Sequence, residues 1–458
     1  MDGPAPESGK PAPIEPQRRK AAPPRRARKR ARKHNPYAVL RYNDYRLFIA
    51  GWILAVLAAQ IESIAIEWEV YVRTGSTLAL GTIGLVLGLP VIALALPAGQ
   101  LADRFSRRII VAVSMAIMSV CGIALTCLVL AETSIKWIYL VLIIESSTRA
   151  VGWAARSALL PQIIPRRHFS SAVTWNSSLF QIAAMAGPAL GGVIIAASVP
   201  AALVVASLCR VISFILVLSL TARHVVRRFE PLSLKSFLEG IGFIRKTRLI
   251  LSVMILDLFA VLFGGAVYLL PVYAKDILDV GAIGLGWLRA APSAGAVAMA
   301  LILTHRPAMK RPGLTMLWAV AGFGVATLVF GISEWFPLSM IMLFMTGALD
   351  NVSVVVRHTL VQIVTPDHMR GRVSAINNVF IATSNDLGGA ESGYTAAWFG
   401  TKASVVLGGI GTILVVLGVS YRWPQIRAIK PLNELRSDES PTTFEVSEVE
   451  EEGRSVGR

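Results

Sequence analysis

Long apolar stretches alternate with short connectors rich in Arg, Lys, Pro and Ser along almost the whole chain. A helix needs roughly 20 mostly apolar residues to cross a bilayer, and windows of that kind recur from Leu47 to Tyr421. The pattern predicts twelve spans. Six fall at about 46–71, 78–99, 109–131, 137–159, 172–197 and 201–221, and six at about 249–273, 282–304, 314–332, 337–358, 374–399 and 403–421. Between these sets Leu234, Phe237, Leu238, Ile241 and Ile244 recur at helical spacing, with Lys235, Glu239 and Lys246 on the other side. This predicts an amphipathic helix lying along the membrane surface.

The second set repeats landmarks of the first. Gly84 precedes Pro90 by six residues, as Gly286 precedes Pro292; Arg156 precedes Pro165 by nine, as Arg357 precedes Pro366. The offsets, 202 and 201, nearly coincide and point to two parallel repeats of six spans. The expected fold is an all-α membrane protein, twelve transmembrane helices arranged as two pseudo-symmetric six-helix bundles. The expected organisation is a disordered basic tail over 1–45, a first bundle over 46–221, a linker with its helix over 222–248, a second bundle over 249–421 and a disordered acidic tail over 422–458.

Composition removes the soluble alternatives. Of 458 residues 54% are hydrophobic and 16% charged, with a mean hydropathy of +0.60, far above ordinary soluble domains. The net charge of +17 gathers in a Pro- and Ala-rich tail, Arg18 to Lys33, which cannot bury a core. It reads as solvated charge that holds its side of the membrane; nucleic acid is not expected as a partner. Arg104, Arg107, Arg108, Arg166, Arg167, Arg223, Arg306, Lys310, Arg370 and Arg372 fill one set of connectors, whereas the opposite set offers little beyond Arg73, Lys136, Lys275 and Lys402. The basic side stays cytoplasmic, so both termini are expected there. Cys121, Cys127 and Cys209 lie inside apolar runs, and no His or Cys cluster has metal-ligand spacing, so neither a metal nor a cofactor is expected. The lack of a GxxxxGKS/T loop, and of a nucleophile with a base at helical spacing, argues against an ATP-driven pump and against an enzyme.

After the second span stands Gly99-Gln100-Leu101-Ala102-Asp103-Arg104-Phe105-Ser106-Arg107-Arg108. With the six-plus-six pattern, this loop resembles the signature of the major facilitator superfamily, with Ser106 where that signature has a second glycine. The resemblance implies that Gly99, Asp103, Arg104, Arg107 and Arg108 form a cytoplasmic latch that holds the outward-facing state closed. At the repeat offset Asp103 maps to His305 and Arg108 to Lys310, so the latch belongs to the first half. Gly187, Pro188, Gly191 and Gly192 in the fifth span resemble the helix motif of drug and metabolite exporters, with Ala183 where that motif often opens on glycine. Trp68 to Tyr71, Pro366 to Val373 and Ser384 to Gly389 are similar to the subgroup of enterobactin exporters. This implies a bacterial inner-membrane protein.

An ionisable group at bilayer depth costs about 2.5–3.5 kcal/mol on insertion scales, so each one needs a partner or a task. Those expected are Glu62, Glu145, Arg149, Arg210, Asp257, Asp350, Asp386 and Glu391. Glu145 and Arg149 have the spacing of an intrahelical pair, and Arg149 and Asp350 are equivalent in the two repeats. The expected roles are Arg149 for an anionic group of the substrate and Asp350, or alternatively Glu145, for a driving proton; Glu62 and Asp257 are further candidates. Arg210 is expected to pair locally, Glu67 and Glu69 to be interfacial, and Trp68, Tyr71, Trp137, Tyr139 and Trp335 to belong to an interfacial aromatic belt. The function expected is secondary active transport of a small amphipathic molecule, proton-coupled and outward, by a monomer in the lipid bilayer. An importer or lipid flippase of the same fold, and a non-transporting sensor or scaffold, are the alternatives.

Overall fold

A computed structural model of the chain describes residues 36–221, 234–307 and 309–429, together with Gly3. The first six long helices are α1 Asn43–Thr74, α2 Thr77–Arg104, α3 Arg107–Leu130, α4 Ile135–Ile163, α5 Phe169–Ala197 and α6 Val199–Leu218. The linker helix is α7 Leu234–Lys246. The second half runs through α8 Arg248–Phe263 and the short α9 Leu270–Val272, then α10 Gly281–His305, α11 Pro312–Ile332, α12 Phe336–Val364, α13 Asp367–Phe399 and α14 Thr401–Arg422. No strand occurs among the described residues.

Eleven of these segments are long and apolar enough to cross a membrane, with α8 and α9 together forming one of them, Arg248–Ile277. The twelfth expected span is α13. Its 33 residues carry Arg370, Arg372, Asn377, Asn378, Asn385, Asp386 and Glu391, too polar for a lipid-facing helix, and it packs along α2 and against α8. Large apolar side chains such as Leu89, Ile123, Leu208, Trp318 and Leu414 point outward while Arg210 and Arg357 are buried, the inverse of a soluble surface.

The seventh span is not the continuous helix expected over 249–273. It breaks at Gly264-Gly265, continues as a 3-10 turn, Ala266–Leu269, and ends in a π turn, Tyr273–Ile277. Adjacent glycines favour helix poorly, and the break leaves backbone carbonyls without helical partners.

The ends of the bundles are more ordered than expected. Pro36–Arg41 forms a 3-10 turn that seats Val39 in the core and sets Tyr37 at a tilt against Trp175, ring centroids 5.7 Å apart. Tyr45 is buried and donates to the Ala172 carbonyl at 3.1 Å. At the other end Pro424–Ala428 buries Ile426 under α11. These short segments carry apolar side chains that the charged tails lack, so the boundaries at 45 and 422 move outward; the tail residues 4–35 and 430–458 lie outside the described residues. Helix α7 forms as expected, but its Phe237, Ile241, Phe243 and Ile244 pack on Ile250, Met254, Met369, Val373 and Ile376. Glu239 accepts from Arg372 at 2.8 Å. These apolar side chains are therefore covered by α8 and α13, while Leu238 of the same helix stays exposed.

The chain ends and α7 lie on one face, the terminal face, and the turns at Gly75, Gly281 and Gly400 on the remote face. The halves meet through α2 against α13 and α5 against α10. Both crossings are tight near the remote face. A Cβ on Gly192 would stand 2.6 Å from the Ala282 carbonyl oxygen and 2.7 Å from Gly286 Cα, and one on Gly84 would stand 2.5 Å from the Asp386 carbonyl oxygen. The molecule is in a form closed on the remote face.

Candidate functional site

Buried charge gathers in two clusters inside the halves and in ion pairs between them. In the first half Arg210 of α6 is 2% exposed and reaches inward between α1 and α4. Its Nη2 lies 2.5 Å from Glu145 Oε1 and 2.9 Å from Glu62 Oε1, and its Nη1 donates to the Met118 carbonyl at 3.0 Å. Glu145 thus pairs across helices, and the intrahelical pair with Arg149 expected from their spacing does not form. Arg210, expected to pair locally, instead joins α6 to α1 and α4. The second carboxylate oxygens of Glu62 and Glu145 are buried without hydrogen-bond partners, so the cluster holds two acids against one cation.

The second half has a simpler pair. Arg357 of α12 forms an ion pair with Asp257 of α8. Asp350, two turns before Arg357 on the same face of α12, lines a small cavity with Asp257, Ala260, Val261, Val320, Phe323 and Ser353, and no cation among the described residues lies within ion-pair distance of it. The structure does not bring Arg149 and Asp350 together. Equivalence in a repeat fixes depth, not the direction of the side chain, and Asp350 looks into its own half.

Arg149 instead reaches across the interface, its Nη2 3.3 Å from Asp386 Oδ2 on α13. Tyr268, in the broken stretch of the seventh span, donates to Asp386 Oδ1 at 3.2 Å. A second inter-half pair was not anticipated. Arg289 of α10 holds Glu67 of α1 with both terminal nitrogens at 3.2 Å, and its Nη1 also donates at 3.1 Å to the Val267 carbonyl, which accepts the Leu270 N–H of the 3-10 turn as well. Ser63 donates to the same Glu67 oxygen as Nη2 does, at 2.8 Å. Glu67 is 1% exposed, not interfacial, whereas Glu69 pairs with Arg73 at 2.5 Å near the helix end. Tyr71 leaves the aromatic belt too: it is buried and donates to Asp276, while Trp137 and Trp335 remain exposed as a belt requires. Glu391 accepts only from Ser392 and Thr395 hydroxyls among the described residues.

In the charged loop, the side chains of Asp103 and Arg104 lie outside the described set. Arg108 donates to the Leu218 carbonyl at 2.7 Å, which caps the last turn of α6 with a cation. The glycines of the fifth-span motif divide between two neighbours: Gly187 and Gly191 face Gln60 and Ile64 of α1, and Gly192 faces α10 of the other half. A small-residue stripe is what close helix approach inside a membrane needs.

Arg289 could have been found from the sequence, as a lone arginine in the apolar run Gly281 to Thr304. Its partner could not, since nothing in the sequence shows which helix it faces.

Two helical halves joined on one face, with buried charge gathered at and behind their interface, define a membrane transporter of the major facilitator type. The transmembrane secretion effector family model matches residues 34–452, and the chain belongs to that family. It is 27% identical to the enterobactin exporter EntS of Citrobacter koseri over 81% of this chain and 89% of that protein. It is 26% identical to the EntS of Escherichia coli over the same shares. Among solved structures the nucleoside transporter NupG aligns with a TM-score of 0.64 at 13% identity, covering 83% of this chain and 99% of that one. A bacterial homologue of the human lysosomal transporter Spinster, inward-facing and unoccupied, aligns with a TM-score of 0.63 at 14% identity, covering 84% and 98%. The chain is a multi-pass secondary transporter that exports a small molecule; it is not an enzyme.

Proposed function

We propose that the protein is a proton-driven exporter of the bacterial inner membrane, a monomer with both termini cytoplasmic, and that its driving proton is held by Glu62 and Glu145 beside Arg210. The observation that carries this reading is the excess of one carboxylate over cations in that closed cluster. Burying an uncompensated charge is costly, and one shared proton removes the excess. Two acids on one guanidinium divide their protons as a pair, so a small displacement of α1, α4 or α6 changes the pair's hold on the proton. Asp350 is the second candidate, because it lacks a cation partner.

In this reading the form closed on the remote face accepts cargo from the cytoplasm. Opening that face separates Arg149 from Asp386 and Glu67 from Arg289. The two inter-half pairs are therefore the gate, and the Glu62–Arg210–Glu145 cluster is the coupling site. The curated relatives carry the name enterobactin exporter, which makes enterobactin the first cargo to test. In everted membrane vesicles with an acidic lumen, adding the exported molecule should release lumenal protons and load the molecule. Glu62→Gln and Glu145→Gln should each reduce proton release at least tenfold at unchanged protein level. Proton release that survives both substitutions assigns coupling elsewhere, and Asp350→Asn is then the next variant.

A further inference from the structure

Among the described residues the arginines on the interior helices, from the half-exposed Arg149 to the buried Arg357, have carboxylate partners, with one exception. Arg149 faces Asp386, Arg210 faces Glu62 and Glu145, Arg289 faces Glu67, and Arg357 faces Asp257. Arg156 of α4, only 8% exposed, has no carboxylate within 4 Å among the described residues. Among the described residues its hydrogen bond runs from Nη2 to Asn176 Oδ1 at 2.8 Å, and its Nε is buried without an acceptor. The repeat shows what is missing. At the offset of 201, Arg156 corresponds to Arg357, and the Asp257 that neutralises Arg357 corresponds to Val56.

Aromatic rings stand where the acid would be. The guanidinium carbon lies 3.0 Å from the Trp52 ring centroid, 5.2 Å from Phe48 and 6.0 Å from Trp153. Trp52 in turn stacks on Phe180 at 6.3 Å and meets the edge of Trp153 at 5.6 Å. The Trp52 Nε1 is a second buried donor without an acceptor. Ring faces attract a cation through their quadrupole, but they accept none of its hydrogen bonds, and a desolvated charge keeps its demand for an anion. Trp153 is 51% exposed. It lies four residues from Arg149 and three from Arg156, on the α4 face that reaches the other half. Trp52 belongs to the α1 stripe that continues through Ser63 and Glu67 to Arg289. The cluster therefore lines the interior between the halves, on the terminal-face side of Arg149, at a distance of roughly 10 Å along α4.

We propose that Arg156 with Trp52, Trp153 and Phe180 is a cargo-binding subsite, and that it takes an organic anion carrying a flat ring system. The anionic group supplies the acceptor that the repeat provides through Asp257 and this half lacks. The ring lies against the exposed face of Trp153. This rests on the reading of the chain as an exporter loaded from the terminal face, but it concerns binding and not coupling.

The test is equilibrium binding to the purified full chain in lipid nanodiscs, without any pH gradient. The probes are 2-naphthoate, its neutral analogue 2-naphthylmethanol and the non-planar anion cyclohexanecarboxylate. The wild type should bind 2-naphthoate saturably and at least tenfold more tightly than either analogue. Arg156→Gln should weaken 2-naphthoate at least tenfold and leave 2-naphthylmethanol within twofold. Trp153→Ala, at a half-exposed position, should weaken both ring compounds alike. The ranking of the three probes on the wild type stands even if Arg156→Gln fails to fold. Equal affinity for all three, no saturable binding of 2-naphthoate, or unchanged 2-naphthoate binding in folded Arg156→Gln overturns the proposal. Coupling can fail in vesicles while this binding persists, so the two readings are tested apart.

Discussion

At the scale of single residues the interior is organised by arginines, and the effect of removing a charge depends on what it leaves behind. Arg210→Met leaves two buried carboxylates facing each other and should cost about 3–5 kcal/mol, the usual penalty for orphaning a buried charge. Glu62→Gln leaves a matched Arg210–Glu145 pair, so it should fold normally and fail only in coupling. Thermal unfolding in detergent, followed by size-exclusion chromatography, separates these outcomes: a large loss for the arginine, within about 1 kcal/mol of wild type for the glutamine. Asp257→Asn strands Arg357 in the same way and should be as damaging as Arg210→Met. Outside the membrane, Glu334 is held below the usual carboxylate range by the hydrogen bond from Lys402 and by its positive charge. A depressed carboxyl contributes its stabilisation above its unfolded value and loses it as pH falls through the folded one. Lys402→Gln should therefore return Glu334 to ordinary titration, visible in its side-chain carbon shift.

At the scale of elements the seventh span and the glycine crossings matter most. The 3-10 turn after Gly264-Gly265 presents the Val267 carbonyl to Arg289 and Tyr268 to Asp386, so a discontinuous helix touches both inter-half pairs. Gly192 and Gly286 let α5 and α10 touch through backbone atoms. Gly192→Val requires the halves to separate at that crossing and should shift the protein toward the form open on the remote face. A cysteine introduced at Ser63, beside Glu67, should then react faster with a membrane-impermeant maleimide added from that side, by several-fold over the parent. An unchanged rate would mean that the crossing does not control closure.

The span pattern, the repeat and the buried acids Glu62, Glu145 and Asp257 were legible in the sequence, because hydropathy and charge are properties of a residue; the burial of Glu67 was not. Pairing was not. Glu145 and Arg149 have ideal spacing on one helix, yet each finds a better partner on another, since rotation about the helix axis decides which neighbour a side chain meets. Gly264-Gly265 was visible as a dipeptide, but a helix break inside an apolar run leaves the hydropathy unchanged. Arg156 marked the repeat, and only the packing shows that its acid is absent.

At the scale of the whole molecule Glu67–Arg289 joins the two halves toward the remote face and Arg149–Asp386 joins them near mid-depth, and in the proposed cycle both pairs open together. The double variant Glu67→Gln with Asp386→Asn should populate the remote-open form without cargo, again read by cysteine accessibility. Deleting residues 1–34 should leave flux intact if the protein still inserts; loss of function with normal insertion would favour a scaffold that works through its basic tail. The most direct test of the account is proton release from acid-loaded everted vesicles on addition of exported cargo, compared between wild type and Glu62→Gln in the same membranes. The account predicts a cargo-dependent proton efflux in the wild type and its loss, by tenfold or more, in the variant that still binds cargo. Equal efflux from both would contradict it.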